Sequence, residues 1–326
     1  MSSSILITGG TAGLGFHCTV ALARQYPNHH ITIVSRSDPN DAAGTINRIT
    51  GQNNVRYQRL DLASLSQVRL FVKKWAEDNN SPITHLLFNA GLQFPNEVSY
   101  TEDGYEKTFA INHLGHALLF SLLTPHLAQT ARIVVTASGT HDPEQKTGMP
   151  DAEYTSAEQL ARPTGESLNL PGRQRYTTSK LANILWTYAL ERRLADLRNR
   201  GGTDYKNWTI AAFDPGMVPG TGLARDAGGL MKFVWTYVLP RVLPLLRLLV
   251  MPNIHSAEES GQSLAWVAGD AEVAKKSGLY YEGTEEIKSS KESYSKEKQE
   301  DLWEWTVRNL AGGLEEKALF ELKGLN

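Results

Sequence analysis

The fold of this chain is decided by the stretch TGGTAGLG at residues 8–15. It follows an apolar run at 5–7, typical of a buried parallel strand, and leads into an apolar-periodic stretch at 14–22 that predicts a helix. Gly9 allows a tight turn, while Gly13 and Gly15 let the backbone approach a pyrophosphate, which the free N–H groups of a helix N-terminus attract. The spacing differs from the commoner Gly-x-Gly-x-x-Gly, so this stretch alone is equally compatible with an ordinary glycine-rich turn.

The residues after the second predicted strand indicate which dinucleotide would bind. In NAD-binding units an acid near this point holds the ribose 2′-hydroxyl, whereas an arginine accommodates a 2′-phosphate. Here Ser35 and Arg36 follow the strand directly, and Asp38 comes later, beside Pro39. A guanidinium group suits a phosphate, and the serine hydroxyl adds a donor. We therefore predict NADP(H); the alternative is that Arg36 is only a surface residue.

Two further strand ends carry residues suited to the same cofactor. Asp61 follows the third predicted strand and can accept a hydrogen bond from the adenine amino group, while Leu62 can line the base. An alternative role for Asp61 is to cap the helix that follows. The fourth strand ends in Asn89-Ala90-Gly91, where small residues let the cofactor lie close to the backbone and Asn89 can connect neighbouring strand ends.

Tyr176 and Lys180 form a candidate proton-transfer pair, because residues four apart project from one face of a helix. Free tyrosine has a pKa near ~10 and is a poor catalyst at neutral pH, but a neighbouring ammonium group lowers that pKa. Ser138, at the end of a predicted strand, can donate to a substrate oxygen, and Asn112 lies in a predicted helix. An isolated Tyr-x-x-x-Lys usually marks a solvated helix face. Combined with the glycine-rich turn upstream, it indicates hydride transfer between a nicotinamide and a carbonyl.

Composition places these motifs in one α/β domain covering residues 1–326. The 326 residues are 41% apolar, which is enough for a large core, and the net charge of −2 gives no sign of nucleic-acid binding. Strands alternate with helices from residue 5 to about 282, which predicts a doubly wound parallel sheet with helices on both faces. The one cysteine, Cys18, excludes an intramolecular disulfide and fits a reducing compartment. The first strand begins at once, so we expect no signal peptide and a cytoplasmic protein.

Two segments interrupt the alternation. An insertion at 139–175, rich in Pro, Gly, Glu and Thr, separates Ser138 from Tyr176, and we expect it to cover part of the substrate site. Residues 230–251 are strongly apolar, but three cations and two prolines interrupt them, which makes a membrane span costly. We predict that 219–256 form a helical lid over the substrate pocket.

Aromatic residues of this lid, Phe233, Trp235 or Tyr237, would contribute contact area to a large substrate. The weaker alternative for the apolar segment is a monotopic contact with a membrane surface, because apolar residues with interspersed arginines suit a bilayer interface.

The tail at 284–326 begins with mixed charges and predicts a helix at 298–310 that ends before Gly312-Gly313. Trp303, Val307 and Leu310 would form a packing stripe on that helix, and its charges would face solvent.

Histidines give little sign of a metal site. His113 and His116 have a spacing found in metal sites, but no cysteine or acid accompanies them, so helix packing is the better interpretation. His141, which follows Ser138 closely, could contact substrate.

Five separated motifs together resemble the short-chain dehydrogenase/reductase family. They are the glycine-rich turn, Asp61-Leu62, Asn89-Ala90-Gly91, the set of Asn112, Ser138, Tyr176 and Lys180, and Pro215-Gly216. The resemblance covers most of residues 4–283 and implies a Rossmann-type fold. The segment GYEKTFAINHLGH at 104–116 is particularly similar to the branch of retinol dehydrogenases and protochlorophyllide reductases.

The resemblance implies a role for each matching residue. Tyr176 would be the general acid in reduction, Ser138 would polarise the carbonyl, and Lys180 would lower the tyrosine pKa and bind the nicotinamide ribose. Asn112 would hold a water that links Lys180 to solvent. The residues implied at the cofactor are Gly9, Thr11, Gly13, Leu14, Gly15, Ser35, Arg36, Asp61, Leu62, Asn89, Ala90, Gly91, Tyr176, Lys180, Pro215, Gly216, Val218 and Thr221. The match is loosest at Thr221, because Pro219 adds a proline to this loop.

These observations predict an NADPH-dependent carbonyl reductase for a fairly bulky apolar ketone or aldehyde. The enzyme alternative is an NADP-dependent alcohol dehydrogenase acting on a retinoid- or steroid-like alcohol. A rival of another class is a non-catalytic NADP(H)-sensing protein, which would have no need of Tyr176. The partners expected are a small carbonyl compound and no nucleic acid, and a homo-oligomer is compatible with the sequence.

Overall fold

A computed structural model describes residues 3–78, 80–94, 97–199, 206–222 and 228–323. One eight-stranded sheet forms its centre, with the strand order β3-β2-β1-β4-β5-β6-β7-β8. The strands are β1 (Ser4–Thr8), β2 (His30–Ser35), β3 (Val55–Arg59), β4 (Ile83–Phe88), β5 (Leu127–Thr136), β6 (Asn207–Asp214), β7 (Leu279–Glu282) and β8 (Glu285–Ile287). Neighbours from β1 to β7 pair in parallel, which confirms the predicted Rossmann-type α/β fold.

Helices cover both faces of the sheet. They are α1 (Gly13–Gln25), α2 (Ala42–Thr50), α3 (Leu65–Glu77), α4 (Lys107–Phe109), α5 (Gly115–Leu123), α6 (Ala157–Ala161), α7 (Gly172–Asn199), α8 (Gly229–Phe233), α9 (Leu243–Leu249), α10 (Ala257–Gly269), α11 (Lys296–Leu310) and α12 (Leu314–Phe320). Helices α1, α2 and α10 share one apolar core with the sheet, and α3, α5, α7 and α11 share the other. Side chains on both sides of each central strand are therefore buried, which explains the near-continuous apolar runs.

The C-terminal region differs from the predicted tail in two elements. After β7, a turn at Gly283, where φ is 57°, reverses the chain into β8, which pairs antiparallel at the sheet edge. Gly312-Gly313 ends α11 as predicted, but α12 follows it, and Phe320 of α12 is buried. Both elements are too short for a periodic pattern to indicate them.

Helix α11 packs against α7, the helix that carries Tyr176 and Lys180. Trp303, Val307 and Leu310 are buried, as the stripe predicted. Trp303 stacks on Trp186 of α7 with ring centroids 6.5 Å apart, and the guanidinium of Arg193 lies 4.0 Å from the Trp303 ring centroid. The tail is thus part of the core that holds α7 in place.

The insertion at 139–175 packs in two directions. Its later part contacts α11: the Tyr154 hydroxyl donates to Asp301 at 2.7 Å, and the Trp305 indole donates to Glu158 at 2.6 Å. Its first part, 139–149, turns towards the cavity described below. Among the described helices, none is long and apolar enough to cross a membrane.

We expect Trp303→Ala to lower the free energy of unfolding by about 3–5 kcal/mol, because it empties a buried site against α7. Leu314→Ala is the control, since Leu314 is 87% exposed and should change that free energy by less than about 0.5 kcal/mol. Urea unfolding followed by fluorescence and circular dichroism measures both. Equal, small effects would show that α11 does not brace α7.

Candidate active site

One cavity of about 700 Å³ lies at the carboxyl ends of the parallel strands. Strand order reverses between β1 and β4, and open α/β sheets place their ligands outside such a reversal. Every residue implied at the cofactor borders this cavity, from Gly9 in the first turn to Thr221 after β6. Ser138, Tyr176 and Lys180 border it as well. Residues from widely separated positions in the sequence are therefore collected at one site.

The glycine-rich turn leaves the N-terminus of α1 open towards the cavity. Gly9 and Gly13 have φ angles of 69° and 57°, which side chains other than glycine rarely adopt. Ala12 is the N-cap and has no side chain that could bond the first N–H groups of the helix. The first turn of α1 also carries no acid. Free N–H groups and the positive end of the helix dipole fit the diphosphate of a dinucleotide.

At the end of β2, an arginine borders the cavity and the nearby acid is engaged in a hydrogen bond. Asp38 is engaged as a helix cap, because its two carboxylate oxygens accept from the N–H of Ala42 at 2.8 and 2.9 Å. Arg36 is exposed at the cavity wall and forms no ion pair with any of the described residues. The Ser35 hydroxyl donates to the carbonyl of Ser37 at 2.7 Å and accepts from Thr11 at 3.1 Å. Arg36 is thus the cation available here, while Ser35 holds the turn.

Asn89 connects the ends of β1 and β4. Its side-chain amide donates to the carbonyls of Thr8 at 3.0 Å and Gly9 at 3.3 Å. Its backbone N–H, in turn, donates to the Thr8 hydroxyl at 2.9 Å. Asp61 accepts from the N–H of Ala63 at 3.0 Å, so its carboxylate both borders the cavity and supports the turn before α3.

Helix α7 carries Tyr176 and Lys180 on one face, both buried. The Lys180 ammonium donates to the carbonyl of Thr136 at 3.0 Å and lies 5.7 Å from the centroid of the Tyr176 ring. A side chain at position 91 would crowd this ammonium, because a Cβ on Gly91 would lie 3.2 Å from Nζ. The pair is therefore held by the end of β5 and by a position that must stay small.

Burial controls the protonation of this pair. It lowers the pKa of Lys180 to about 8, although the charge of Asp214 acts in the opposite direction. Burial also raises the pKa of Tyr176 above its ordinary value, with Asp214 adding to the rise and a hydrogen bond with Ser138 opposing it. The sequence predicted that the lysine would lower the tyrosine pKa. Desolvation is the largest influence on the Tyr176 pKa, and it raises that pKa rather than lowering it.

Ser138 is aligned by its own turn. Its Oγ accepts from the hydroxyl of Thr140 at 3.0 Å and from the Thr140 N–H at 3.3 Å. With two donors pointing at this oxygen, the Ser138 hydroxyl proton is free to point towards Tyr176 or a substrate oxygen.

His141 lies behind Ser138 and does not border the cavity. The structure therefore does not support the substrate contact considered for it from the sequence. Its Nδ1 bonds the carbonyl of Ser138 at 2.7 Å, and its Nε2 accepts from the N–H of Ser290 at 3.0 Å. That pair of bonds assigns the proton to Nδ1, and burial lowers the histidine pKa. His141 is a neutral clamp between Ser138 and the segment before α11.

Asn112 also lies behind the cavity wall. It sits in a π-helical turn, Ala110–Leu114, between α4 and α5, and such turns often occur at functional sites. Its side chain accepts from the N–H of Leu92 at 2.8 Å and donates to the carbonyl of Leu92 and the hydroxyl of Ser179, both at 2.9 Å. Asn112 therefore joins α7 to the chain after β4.

The described part of the loop after β6 borders the cavity beside the glycine-rich turn. Thr221 lies against Gly13, since a Cβ on that glycine would come 3.4 Å from the Thr221 methyl group. The Trp235 indole donates to the carbonyl of Thr221 at 3.1 Å, and Trp235 and Met251 border the cavity. Phe233 and Tyr237 are instead more than half exposed, at 56% and 54%.

Asp214 is a residue that the sequence analysis missed. It is 1% exposed at the end of β6, borders the cavity, and accepts from the N–H of Gly216 at 3.0 Å and the side chain of Asn253 at 2.9 Å. The sequence signal that could have identified Asp214 is its position at a strand end, directly before Pro215-Gly216. Arg173, Gln145 and Met149 of the insertion also border the cavity.

The two histidines of the predicted helix are packing residues. His116 bonds the Thr8 hydroxyl at 2.9 Å, and His113 stacks on Phe109 with ring centroids 5.2 Å apart. Burial lowers the pKa of each to about 3, so both are neutral. No group of three metal-ligating side chains occurs within the described ranges. Cys18 is buried in α1.

Comparisons with known proteins agree with this geometry. The family model for short chain dehydrogenase matches residues 3–152. Human retinol dehydrogenase 13 is 30% identical over 308 residues, which cover 94% of this chain and 83% of the relative. Protochlorophyllide reductase from pea, Pisum sativum, is 29% identical over 322 residues, covering 92% and 76%.

A solved structure shares the fold. An uncharacterised protein from Mycobacterium paratuberculosis superposes with a TM-score of 0.65 at 24% identity, covering 94% of this chain and 93% of the other. The chain therefore belongs to the short-chain dehydrogenase/reductase family, on the branch of the retinol dehydrogenases and protochlorophyllide reductases, and is an oxidoreductase acting on CH–OH or carbonyl groups.

Proposed function

We propose that this protein is an NADPH-dependent reductase of a fairly bulky, apolar ketone or aldehyde. The observation that carries the proposal is the position of Tyr176, whose buried side chain borders the cavity beside Ser138 and Lys180. Its phenol can donate a proton to an oxygen in the cavity, and a proton donor is what reduction of a carbonyl requires.

Bound NADPH would supply the hydride. Ser138 would donate a hydrogen bond to the carbonyl oxygen and polarise it, with its Oγ aligned by Thr140. Tyr176 would transfer the phenolic proton to the same oxygen as negative charge develops there. The Lys180 ammonium, anchored on the Thr136 carbonyl, would stabilise the phenolate that remains.

The residues at the end of β2 support NADPH as the cofactor in this proposal. Arg36 is unpaired with any described acid and faces the cavity, whereas Asp38 is occupied by the N–H of Ala42. Gly13 and the open N-terminus of α1 would take the diphosphate, with Thr221 opposite.

The cavity wall favours a large apolar substrate. Met149 of the insertion and Trp235 and Met251 of the segment after β6 border the cavity. Such side chains would exclude water from the reacting carbonyl. In this proposal, 219–222 and 228–256 serve as a lid chiefly through Trp235, while 223–227 of the predicted lid lie outside the described residues.

A second candidate is oxidation of a retinoid-like alcohol, which the relationship to human retinol dehydrogenase 13 favours. Oxidation would need Tyr176 as the phenolate, which burial disfavours. NADPH consumption with a panel of ketones, compared with NADP⁺ reduction on the corresponding alcohols at neutral pH, separates the two. Cofactor binding without turnover in either direction would indicate a sensing protein instead.

Tyr176→Phe should lower kcat by about 10²–10⁴-fold, because only the proton donor is removed, and NADPH affinity should stay nearly unchanged. Tyr188→Phe is the matched control on the same helix, since Tyr188 bonds Ser289 and does not border the cavity. Steady-state kinetics and fluorescence titration provide the two readouts. Wild-type turnover in Tyr176→Phe would rule out the mechanism.

Arg36→Ala should weaken NADPH binding by about tenfold or more and leave NADH binding nearly unchanged, because only NADPH has the 2′-phosphate. The control is Arg48→Ala, which removes an arginine that is paired with Asp41 and lies outside the cavity. Isothermal titration with both cofactors measures the effect. Equal losses for the two cofactors would show that Arg36 is structural.

Turnover should fall as pH rises through about 8, where the buried Lys180 loses its proton. Asp214 raises the pKa of both Lys180 and Tyr176, so Asp214→Asn should move the basic limb of the kcat profile to lower pH. Asp270→Asn, outside the cavity, is the control. A limb that stays in place, or moves to higher pH, would contradict this account of the site.

A further inference from the structure

Residues 228–251, which we call the apolar face, carry much of the exposed apolar surface of this protein. Fourteen large apolar side chains are exposed over the described ranges, and eight of them lie in this short segment. Six of these are Leu230, Phe233, Tyr237, Leu245, Leu248 and Leu249. Leu248 is 81% exposed and Leu230 is 79% exposed. Contiguous apolar surface of this kind marks an interaction site in soluble proteins.

The backbone of the apolar face lies along the protein surface as a chain of short turns. Helix α8 continues into a π-helical turn, Val234–Val238, and a 3-10 turn, Leu239–Arg241, before α9 begins. Pro240 and Pro244 sit at the starts of two of these elements. A segment divided in this way cannot cross a bilayer, but it can lie flat in the plane of one.

Charge on the apolar face favours an anionic partner. Lys232, Arg241 and Arg247 are its only charged residues, and it contains neither Asp nor Glu. Arg247 pairs with Glu259, whereas Lys232 and Arg241 are exposed and form no ion pair with a described residue. Exposed leucines and aromatics with unpaired cations match the composition of surfaces that insert among anionic lipid headgroups.

The apolar face is continuous with the cavity wall. Trp235 and Met251 border the cavity, while Phe233, Tyr237 and Val250 on either side of them are exposed. The Trp235 carbonyl accepts from the N–H of Gly220 at 2.9 Å, which fixes the segment to the loop after β6. One side of the segment thus contacts the substrate cavity and the other faces outward.

We propose that the apolar face docks on an anionic lipid bilayer and sets the rim of the cavity against the membrane. Leucine and aromatic side chains insert at the level of the acyl boundary, and Lys232 and Arg241 contact the headgroups. Apolar substrates then reach Tyr176 from the lipid without crossing water. The docking rests on the surface alone; substrate delivery rests also on the proposed reductase activity.

Sedimentation of the full chain with vesicles tests the proposal. Vesicles of phosphatidylcholine, with and without about one third phosphatidylserine, supply the two surfaces. We expect the protein to pellet with the anionic vesicles. Leu248→Asp/Leu249→Asp should lower the partition coefficient by about tenfold or more, because it replaces inserted side chains by charges. Lys232→Gln/Arg241→Gln should lower it by about fivefold for each cation removed, and only on anionic vesicles.

The control is Leu168→Asp/Leu314→Asp, which adds the same charges at two exposed leucines outside the apolar face and should pellet like wild type. Thermal melting and turnover of a small water-soluble ketone should stay unchanged in all variants, which separates lost docking from lost folding.

Two results would overturn the docking surface. One is wild-type protein that stays in the supernatant with both kinds of vesicle. The other is a protein that does not bind vesicles but forms a dimer in sedimentation velocity, with the dimer dissociated by Leu248→Asp/Leu249→Asp. The apolar face would then bind a second copy of the chain. Pelleting without any ketone turnover would support the docking surface and contradict the proposed function. Ketone turnover without pelleting would support the proposed function and contradict the docking surface.

Discussion

A buried ammonium group is the constraint on which this site depends. Lys180 is 3% exposed, and taking its charge out of water costs free energy unless carbonyls and nearby charge compensate. The Thr136 carbonyl at the end of β5 supplies one contact, and Asp214 at the end of β6 supplies negative charge. Gly91 at the chain after β4 leaves the space. Three neighbouring strand ends therefore have to be in register for Lys180 to remain charged beside Tyr176.

Different strand ends border different parts of the cavity. The turn after β1 and the end of β2 form the part of the cavity suited to phosphates, and the ends of β5 and β6 lie beside Tyr176 and Lys180. Asn89 bonds the backbone of the first turn from the end of β4, so the two parts share one rigid base. Parallel pairing makes this possible, because it places the carboxyl end of every strand at one edge of the sheet.

Distant parts of the chain hold Ser138 and Tyr176 in position. His141 connects the Ser138 carbonyl to Ser290, and Trp303 of α11 stacks on Trp186 of α7, which carries Tyr176. The C-terminal region, for which the sequence predicted a packing stripe but not the residues that the stripe contacts, thus supports both the serine and the tyrosine. Such contacts join residues more than a hundred positions apart, and no local pattern in the sequence reports them.

The sequence by itself determined the parallel α/β fold and the residues that gather around the cavity. An apolar run followed by glycine, an acid or a small residue is a local signal of a strand end. In a parallel sheet the strand ends lie at one edge, so the residues that follow them lie close together. Tertiary structure alone decided protonation and exposure. Burial raises the pKa of Tyr176, and Asp214 acts on that pKa only because β6 lies beside β5. The sequence shows that residues 228–251 are apolar. Only the structure shows that Trp235 borders the cavity and that Leu248 is exposed. Composition could not separate the two, because it does not say which side of a segment the rest of the protein covers.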